Sequence, residues 1–381
     1  MPAPQVGDEI GPLDVEAVAH GGHCVGRWEG QVVFVRHALP GERVRASVTD
    51  VAKRFLRADA VAVLEASPDR VRPTCEIAGP AGCGGCDLQH ASPQAQRTWK
   101  TAVLAQQLAR LAGIAWDGEV EAVPGSADGF GWRTRVRYFA DDAGVWGLRA
   151  HRSHRVVALP QAGCRLAVSG LERPNVPGSP GAEVTLVQGF EGAVVPSRDE
   201  LLRKVGEREF RVALDGFWQV HPAAAGLLSE VVLGALDPRT GEVAVDLYCG
   251  VGLFAAGLVE AGACVIGIEG DATAVALARS NVPEATFRAG DVTRTLRRLP
   301  PRLDLAVIDP PRSGAGHAVI ADVLGRRPRA VAYVACDPAT LARDLGYARE
   351  SGYRCEWVRA FDLFPNTHHI ESVALLVPDP G

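Results

Sequence analysis

The stretch VAVDLYCGVGLFAAGLVEAGACVIGIEGD, residues 243–271, decides the fold of the C-terminal half of the chain. It opens with a short apolar run, turns through Gly250 and Gly252, continues as a helix-compatible stretch and enters a second apolar run, CVIGIEG. The pattern continues in ATFRAGDV, LDLAVIDPP, RAVAYVACD and ESVALLV, most of them separated by helical stretches. Short apolar runs alternating with helices are typical of a doubly wound parallel sheet in an α/β protein.

Acidic residues mark the ends of four successive predicted strands, namely Asp246, Glu269, Asp291 and Asp309. The carboxyl ends of parallel strands meet at one edge of the sheet, where such folds bind ligands. An acid at the end of the second strand can hold ribose hydroxyls, and the glycine turn lets the backbone approach a ligand. The turn lacks a complete GxGxxG pattern, because Ala255 occupies the third glycine position. The acids favour S-adenosylmethionine over nicotinamide, flavin or another nucleoside.

A candidate nucleophile, Cys336, lies in AVAYVACDPATLARDL, residues 330–345, at the end of another apolar run. A packing role is the alternative, since free cysteine often behaves as a small apolar residue. One methyl transfer that uses a cysteine is methylation of uracil at C5. It needs a thiolate that adds to C6 and a base that later removes the C5 proton. In FPNTHHIESVALLV, residues 364–377, Glu371 is the candidate base, with His368 and His369 as alternatives.

The segment DPPR, residues 309–312, contains two prolines that stiffen the loop after the fourth strand of this half. Methyltransferases that act on exocyclic base amines use a related motif ending in an aromatic residue, which stacks on the flipped base. Arg312 stands at that position here, so the segment lacks the stacking ring. The guanidinium suits a phosphate or a carboxylate instead.

A cluster of cysteines precedes this half, because Cys75, Cys83 and Cys86 follow the spacing C-x7-C-x2-C and Cys164 lies further along. Three close thiols and a distant one suit a structural zinc or an iron–sulfur cluster. The C-x3-C-x2-C spacing of radical S-adenosylmethionine enzymes is absent. The remaining cysteines are expected to be packing residues or to have no identifiable partner, namely Cys24, Cys249, Cys264 and Cys355.

The bulk composition, 47% hydrophobic and 22% charged over 381 residues, is that of a globular protein and excludes a mostly disordered one. The net charge of −5 gives no global reason for nucleic-acid binding. Residues 131–165 are locally basic, and Arg133, Arg135 and Arg137 would share one face of a strand that either contacts phosphates or is simply solvated. The sequence shows no membrane span and no signal peptide, so we expect a soluble cytoplasmic protein.

Three segments are predicted along the chain. Residues 1–67 alternate like a small β-barrel of the TRAM or OB-like kind. Residues 68–210 form a central α+β domain with the cysteine cluster, the basic strands and a helix that Ser92 begins and Gly113 ends. Residues 211–381 form the Rossmann-like catalytic domain.

Five strings carry a resemblance to a known family, and they occur in that family's order: FWQVHP (217–222), DLYCGVGLF (246–254), IDPPR (308–312), AYVACDPATLARDL (332–345) and FPNTHHIESVALL (364–376). The chain resembles the RNA 5-methyluridine methyltransferases, in the branch that has a TRAM domain and an iron–sulfur cluster. The resemblance implies a class I S-adenosylmethionine-dependent methyltransferase fold, with an N-terminal barrel and a central domain that bears the cluster.

The resemblance also assigns roles to residues. Cys336 would be the nucleophile and Glu371 the general base. Residues that fall on the family's S-adenosylmethionine contacts are Gln219, Tyr248, Glu269, Asp291 and Asp309. The ligands of a [4Fe–4S] cluster with a structural or RNA-positioning role would be Cys75, Cys83, Cys86 and Cys164. Leu253 departs from the family pattern, since some relatives carry asparagine there.

The expected substrate is a uridine in structured RNA, flipped out of its stack so that a thiolate can reach C6. The resemblance favours 23S ribosomal RNA, and the T-loop uridine of tRNA is the alternative. A methyltransferase for small molecules or exocyclic amines, and a non-catalytic RNA-binding factor, are the competing functions. The protein is expected to be a monomer.

Overall fold

The computed structural model describes residues 4–126, 128–189, 192–194 and 200–380. The elements of the first part are, in chain order, β1 (Glu9–Ala19), β2 (His23–Trp28), β3 (Gln31–Arg36), β4 (Arg43–Val51), β5 (Phe55–Glu65), α1 (Pro93–Gln107), a π-helical segment (Leu108–Ala112), β6 (Val120–Ala122), β7 (Arg135–Ala140), β8 (Trp146–Arg149), β9 (Val156–Ala158), β10 (Glu183–Gly189), β11 (Gly192–Val194), β12 (Glu200–Val205) and β13 (Arg208–Ala213).

The second part follows the predicted alternation of helices and strands. Its elements are α2 (Ala224–Leu236), β14 (Val243–Leu247), α3 (Leu253–Glu260), β15 (Cys264–Glu269), α4 (Ala272–Asn281), β16 (Thr286–Ala289), α5 (Val292–Thr295), a 3-10 turn (Leu296–Arg298), β17 (Leu305–Ile308), α6 (His317–Gly325), β18 (Ala330–Ala335), α7 (Pro338–Glu350), β19 (Tyr353–Asp362) and β20 (Glu371–Pro378). Within the described ranges, no helix combines the length and the apolar character needed to cross a bilayer.

The chain forms two compact units. The first unit runs to Val103 and adds Ser126–Leu186 and Phe364–His369, and the second comprises Leu104–Gly125, Val187–Leu363 and the residues from Ile370 onward. Both units are therefore discontinuous in sequence. The prediction divides the chain into a barrel, a central domain and a catalytic domain, at residues 1–67, 68–210 and 211–381. These boundaries stay a prediction.

In the first unit, β1 to β5 close into a barrel with the strand order β1-β2-β3-β5-β4. Its interior is filled by alternating side chains such as Leu13, Val33, Val44 and Leu56, all of them 0% exposed. The barrel is confirmed, but its strands are not all antiparallel, because β3 and β5 pair in parallel. A ring of five strands cannot alternate in direction throughout, so at least one neighbouring pair must be parallel.

The first unit also contains most of a five-stranded sheet with the order β11-β10-β7-β8-β9. Along β7, Val136 and Tyr138 are buried, whereas Arg135 and Arg137 alternate with them towards the other face. The predicted shared face is thus confirmed for these two arginines, and Arg133 precedes the strand. The Arg137 guanidinium pairs with Glu183 at 3.1 Å.

The second unit is built on an eight-stranded sheet with the order β16-β15-β14-β17-β18-β20-β19-β6. The first five strands are parallel, β20 runs antiparallel to β18, and β19 runs antiparallel to β20. The predicted α/β fold with a doubly wound sheet is confirmed. β6 and β19 were not predicted as strands. β6 has only three residues, and the alternation of charged and apolar residues in YRCEWVRAFD, which is a strand pattern, was missed in β19.

Candidate active site

The predicted acids meet at one edge of the sheet in the second unit. β16, β15, β14 and β17 are parallel neighbours, so their carboxyl ends align. Asp246, 0% exposed near the end of β14, accepts a hydrogen bond at Oδ2 from the Ala255 N–H at 2.9 Å. Its Oδ1 is buried without a hydrogen-bond partner among the described residues. Burial raises the pKa of Asp246 well above its ordinary value, and the charges of Asp309 and Glu269 raise it further.

The glycine turn wraps around the carboxylate of Glu269. Glu269 Oε2 accepts a hydrogen bond from the Gly250 N–H at 3.1 Å, and Oε1 accepts one from the Asp271 N–H at 2.9 Å. The φ angle is +61° at Tyr248, +51° at Gly250 and +94° at Gly252, so the backbone turns through the left-handed region. A side chain placed at Gly250 would meet no atom within 4 Å, which leaves open space for a ligand above the turn.

The other two acids, Asp309 and Asp291, lie near the same edge of the sheet. Burial, and then the charge of Glu269, raises the pKa of Asp309 to about 7. Asp291 caps α5 by accepting a hydrogen bond from the Arg294 N–H at 3.0 Å. Burial, followed by the charges of Asp291, Asp344 and Glu269, raises the pKa of Tyr248 to about 12. The structure therefore brings all four predicted acids together around Tyr248 and the glycine turn.

Cys336 and Glu371 face each other at the same edge of the sheet. β18 ends at Ala335 and β20 begins at Glu371, and their antiparallel register pairs Ala335 with Ser372. Continued by one residue beyond the end of β18, this register aligns Cys336 with Glu371, and the charge of Glu371 acts on the Cys336 thiol. The strand pairing therefore places the thiol and the carboxyl side by side, although 34 residues separate them in sequence.

The surroundings of this pair raise the pKa of both groups. Burial raises the pKa of Cys336 to about 11, and the charges of Glu371, Asp309 and Asp337 raise it as well. Glu371 is 4% exposed, and burial and the charge of Asp309 raise its pKa well above the ordinary value. Arg312 opposes these effects, because its charge lowers the pKa of both groups.

Gln219 occupies the segment that leads into α2. Its side chain is 9% exposed, and α2 packs against β18 and β20, the strands that carry Cys336 and Glu371. Its neighbour His221 is 2% exposed, and burial lowers the pKa of the imidazole to about 4. Gln219 and His221 are thus buried in the second unit, whereas Phe217 in the same segment is 73% exposed.

Asp344 is a buried acid near this site to which no role was assigned from the sequence, although it lies in the string AYVACDPATLARDL. It lies on α7, and its carboxylate binds the loop that follows Arg312. A signal was present in the sequence, because Asp344 is three residues after Leu341 and four before Ala348, on the buried face of the helix. A carboxylate in a buried stripe requires specific hydrogen-bond donors.

The four predicted metal-binding cysteines all lie in the first unit and interact electrostatically. Burial raises the pKa of Cys83 to about 11, and the charges of Cys164 and Cys75 contribute. Burial raises the pKa of Cys86, and the charges of Cys83, Cys164 and Cys75 raise it further. Among the residues that the structure describes, no group of three or more His, Cys, Asp or Glu lies close enough to hold a metal ion as it stands.

The loop around these cysteines nevertheless offers donors to sulfur. The Gly85 N–H donates to Cys83 Sγ at 3.3 Å, and Gln89 Nε2 donates to Cys86 Sγ at 3.1 Å. Gln89 Oε1 also accepts from the Cys75 N–H at 3.2 Å, so one buried side chain joins two of the cysteines. Arg133 adds a positive charge that lowers the pKa of Cys83 and of Cys164. The chemistry of this donor set fits a thiolate-bound iron–sulfur centre.

Comparison with known proteins defines the class. Residues 5–61 match the TRAM domain family, and residues 302–378 match the tRNA (uracil-5-)-methyltransferase family. Among solved structures, the chain is similar to a tRNA (uracil-54, C5)-methyltransferase from Pyrococcus abyssi, solved with S-adenosyl-L-homocysteine. The TM-score is 0.73 at 23% identity, over 96% of this chain and 99% of that one. The fold is therefore that of an S-adenosylmethionine-dependent RNA methyltransferase with a TRAM barrel.

Full-length relatives define the family. The chain is 45% identical to an uncharacterized RNA methyltransferase from Streptomyces avermitilis, over 97% of each protein. It is 31% identical to a 23S rRNA (uracil(1939)-C(5))-methyltransferase from Thiobacillus denitrificans, over 95% of this chain and 98% of that protein. The chain belongs to the RNA (uracil-5-)-methyltransferase family, and it is an S-adenosylmethionine-dependent enzyme.

The raised pKa of Asp309 predicts that the binding of S-adenosylmethionine depends on pH. With a pKa of about 7, Asp309 is protonated below that pH and ionised above it, and the ionised form attracts a sulfonium. The dissociation constant of S-adenosylmethionine should therefore fall by about eightfold from about pH 6 to about pH 7.5. S-adenosylhomocysteine lacks the sulfonium charge and should change by less than about threefold. Isothermal titration calorimetry of both ligands measures the difference, and Asp309→Asn should remove it. Parallel changes for the two ligands would contradict the prediction.

Proposed function

We propose that this enzyme methylates C5 of a specific uridine in structured RNA through a covalent bond between Cys336 and uracil C6. The observation that carries the proposal is the register of β18 and β20, which sets a thiol beside a buried carboxyl at the ligand-binding edge. Conjugate addition at uracil needs this pair of groups, and methyl transfer to an exocyclic amine does not.

The proposed sequence of steps uses the two side chains in turn. The Cys336 thiolate forms a bond to C6, and the electron pair of the C5=C6 bond moves towards C5 and the O4 carbonyl. C5 then takes the methyl group, which S-adenosylmethionine supplies on a positively charged sulfur. The Glu371 carboxylate removes the proton from C5. The electron pair of that C–H bond re-forms C5=C6 and expels Cys336 as a thiolate. Loss of the acquired proton from Glu371 to solvent then restores the enzyme.

The same geometry favours Glu371 over the neighbouring histidines as the base. His368 Nδ1 lies 2.6 Å from Asp87 Oδ2, so one ring nitrogen of this histidine is already engaged. The ring of His369 packs against His368 at 4.2 Å between centroids and against Phe364 at 5.9 Å. Glu371, in contrast, is the residue whose charge acts on the Cys336 thiol.

The cofactor would be held by the residues around the glycine turn. Glu269 is proposed to bind the ribose hydroxyls, because its carboxylate stands at the end of β15 beside the Gly250 turn. The orphaned Oδ1 of Asp246 is a buried acceptor that a ligand would satisfy. The other proposed contacts, which follow the family resemblance, are Gln219, Tyr248, Asp291 and Asp309.

We further propose that Cys75, Cys83, Cys86 and Cys164 hold a [4Fe–4S] cluster. The mutual electrostatic effects of the thiols and the N–H donors to sulfur support this, because cluster sulfurs are stabilised by such donors. The cluster would order the loop, and no step of methyl transfer uses it. Protein prepared without oxygen should contain about four iron and four sulfide per chain, and Cys86→Ser should lose both. One bound zinc and no sulfide would refute the cluster.

The favoured substrate is 23S ribosomal RNA, which implies the cytoplasm as the compartment, and the working form is proposed to be a monomer. A relative that aligns over nearly its whole length is named for that RNA, whereas the similarity to the tRNA enzyme is one of fold. The test is to map 5-methyluridine in ribosomal and transfer RNA from cells with and without the gene. Loss of one 23S site, restored by the wild-type gene, is expected. Loss confined to the T-loop of tRNA would select the alternative substrate, and an unchanged 5-methyluridine content would refute the proposal.

A further inference from the structure

The carboxylate of Asp344 is completely enclosed in the second unit, since its side chain is 0% exposed. It lies on α7, the helix that begins directly after Cys336 and Asp337. A buried carboxylate is strongly destabilising unless hydrogen-bond donors surround both oxygens. The hydrogen-bond donors around Asp344 therefore indicate the role of this carboxylate on the buried face of α7.

The donors to Asp344 come from three segments. Oδ2 accepts hydrogen bonds from the Tyr333 hydroxyl at 2.6 Å, the Ala315 N–H at 2.7 Å and the Gly316 N–H at 3.1 Å. Oδ1 accepts from Arg343 Nε at 2.9 Å and Nη2 at 2.8 Å. Tyr333 belongs to β18, three residues before Cys336, and the two backbone donors belong to the loop after Arg312. One side chain thus joins the nucleophile's strand, its helix and the Pro-Pro-Arg loop.

The loop Ser313–Gly316 fits closely against this carboxylate. The Ser313 carbonyl accepts a hydrogen bond from Arg343 Nη2 at 2.8 Å, so the Asp344–Arg343 pair holds both ends of the loop. Gly314 has a φ of +78°, and a Cβ atom there would lie 2.7 Å from Asp344 Oδ2 and would collide with Arg343. The loop can take this path only with glycine at that position.

Arg312 precedes this loop directly, and its charge acts on both reacting groups. It lowers the pKa of Cys336 and of Glu371, against burial and against the nearby acids Asp309 and Asp337. The loop Ser313–Gly316 sets the position of the Arg312 backbone, from which the guanidinium extends. The buried hydrogen bonds of Asp344 are the fixed anchor beside it.

We propose that Asp344 is a positioning residue, which holds the loop Ser313–Gly316 and thereby keeps the Arg312 guanidinium within electrostatic reach of Cys336 and Glu371. The proposal rests on the assignment of Cys336 as the nucleophile. It adds that the reactivity of the thiol is set from a distance by a residue that does not contact the substrate.

The test measures the thiol directly in the full-length protein without RNA. Iodoacetamide labelling is followed across pH, and peptide mass mapping reads the label at Cys336 among the nine cysteines. In Asp344→Asn, the single amide oxygen cannot accept from both Arg343 and the loop. The midpoint of labelling should move up by about half to one pH unit, so labelling near pH 8 should slow by about threefold to tenfold.

Two further variants make the result specific. Gly314→Ala displaces the loop by crowding Asp344 and Arg343, but it removes no charge, and it should shift the midpoint in the same direction. It also serves if Asp344→Asn is recovered unfolded. Asp322→Asn removes an acid from α6 whose partner is Arg326 and should leave the midpoint unchanged. S-adenosylhomocysteine binding reports that each variant is folded.

An unchanged labelling profile in a folded Asp344→Asn or Gly314→Ala protein would overturn the positioning role. Failure of the nucleophile assignment gives a different result, namely methylation that persists in Cys336→Ala while the labelling shift in Asp344→Asn remains. The two proposals can therefore fail separately.

Discussion

Replacing Cys336 with alanine should abolish methylation and leave binding of S-adenosylmethionine intact. The thiol is half-buried at the end of β18, and the acids that would bind the cofactor lie on the neighbouring strands β14, β15 and β17. The loss should be at least about 10⁴-fold in turnover, the scale seen when an enzyme loses its nucleophile. Transfer of labelled methyl groups to RNA measures turnover, and calorimetry with S-adenosylhomocysteine measures binding.

A second cysteine provides the matched control. Cys355 is also half-buried in the second unit, and its Sγ donates to the Trp357 carbonyl at 3.4 Å. Burial raises its pKa to about 12, so the two thiols are similarly poor acids in the free protein. Cys355→Ala should retain methylation within about threefold, because a small cavity in β19 affects stability more than chemistry. Methylation retained in Cys336→Ala would eliminate the covalent mechanism.

The pH profile of the wild-type enzyme should carry the signature of the same thiol. The pKa of Cys336 is about 11 in the free protein, so the thiolate fraction increases with pH throughout the physiological range. The pKa of Glu371 is also raised, and only its ionised form accepts a proton. Both groups are active when deprotonated, and activity should therefore rise with pH.

The strand-end acids could be predicted from sequence because each of them ends or follows a short apolar run. Asp246, Glu269 and Asp309 needed only the rule that parallel strands share a ligand-binding edge, and the structure brings their carboxyls together. The barrel was equally legible from the alternation in β2 to β4. Its parallel β3–β5 contact was not, since strand direction follows from closure of the ring.

The sequence alone could not predict which distant residues the sheet brings together. Cys336 and Glu371 were linked by chemistry and by family resemblance, but only the register of β18 and β20 sets them side by side. Asp344 was missed for a related reason, because two of its donors come from a strand 11 residues away and from a loop 29 residues away, and only Arg343 is adjacent. A pattern of apolar residues identifies a buried face without identifying what a polar residue there binds.

The substitution Glu371→Gln should trap a covalent complex between protein and RNA. The amide has the shape of the carboxylate but does not accept the C5 proton, so addition and methyl transfer proceed and elimination does not. Turnover should fall by at least about 10³-fold, a typical scale for removal of a general base. A protein–RNA species that resists denaturation should accumulate, and labelled methyl should migrate with it on denaturing gels.

The controls follow from the position of Glu371 in the sheet. Glu356 lies on β19, is exposed and pairs with Arg354, so Glu356→Gln should turn over normally and form no stable adduct. The double variant Cys336→Ala with Glu371→Gln should form no adduct, because the bond to C6 is missing. Normal release of product by Glu371→Gln would identify another base, and His369→Ala would then be the next variant to assay. An adduct that persists in the double variant would instead show that another nucleophile attacks the base.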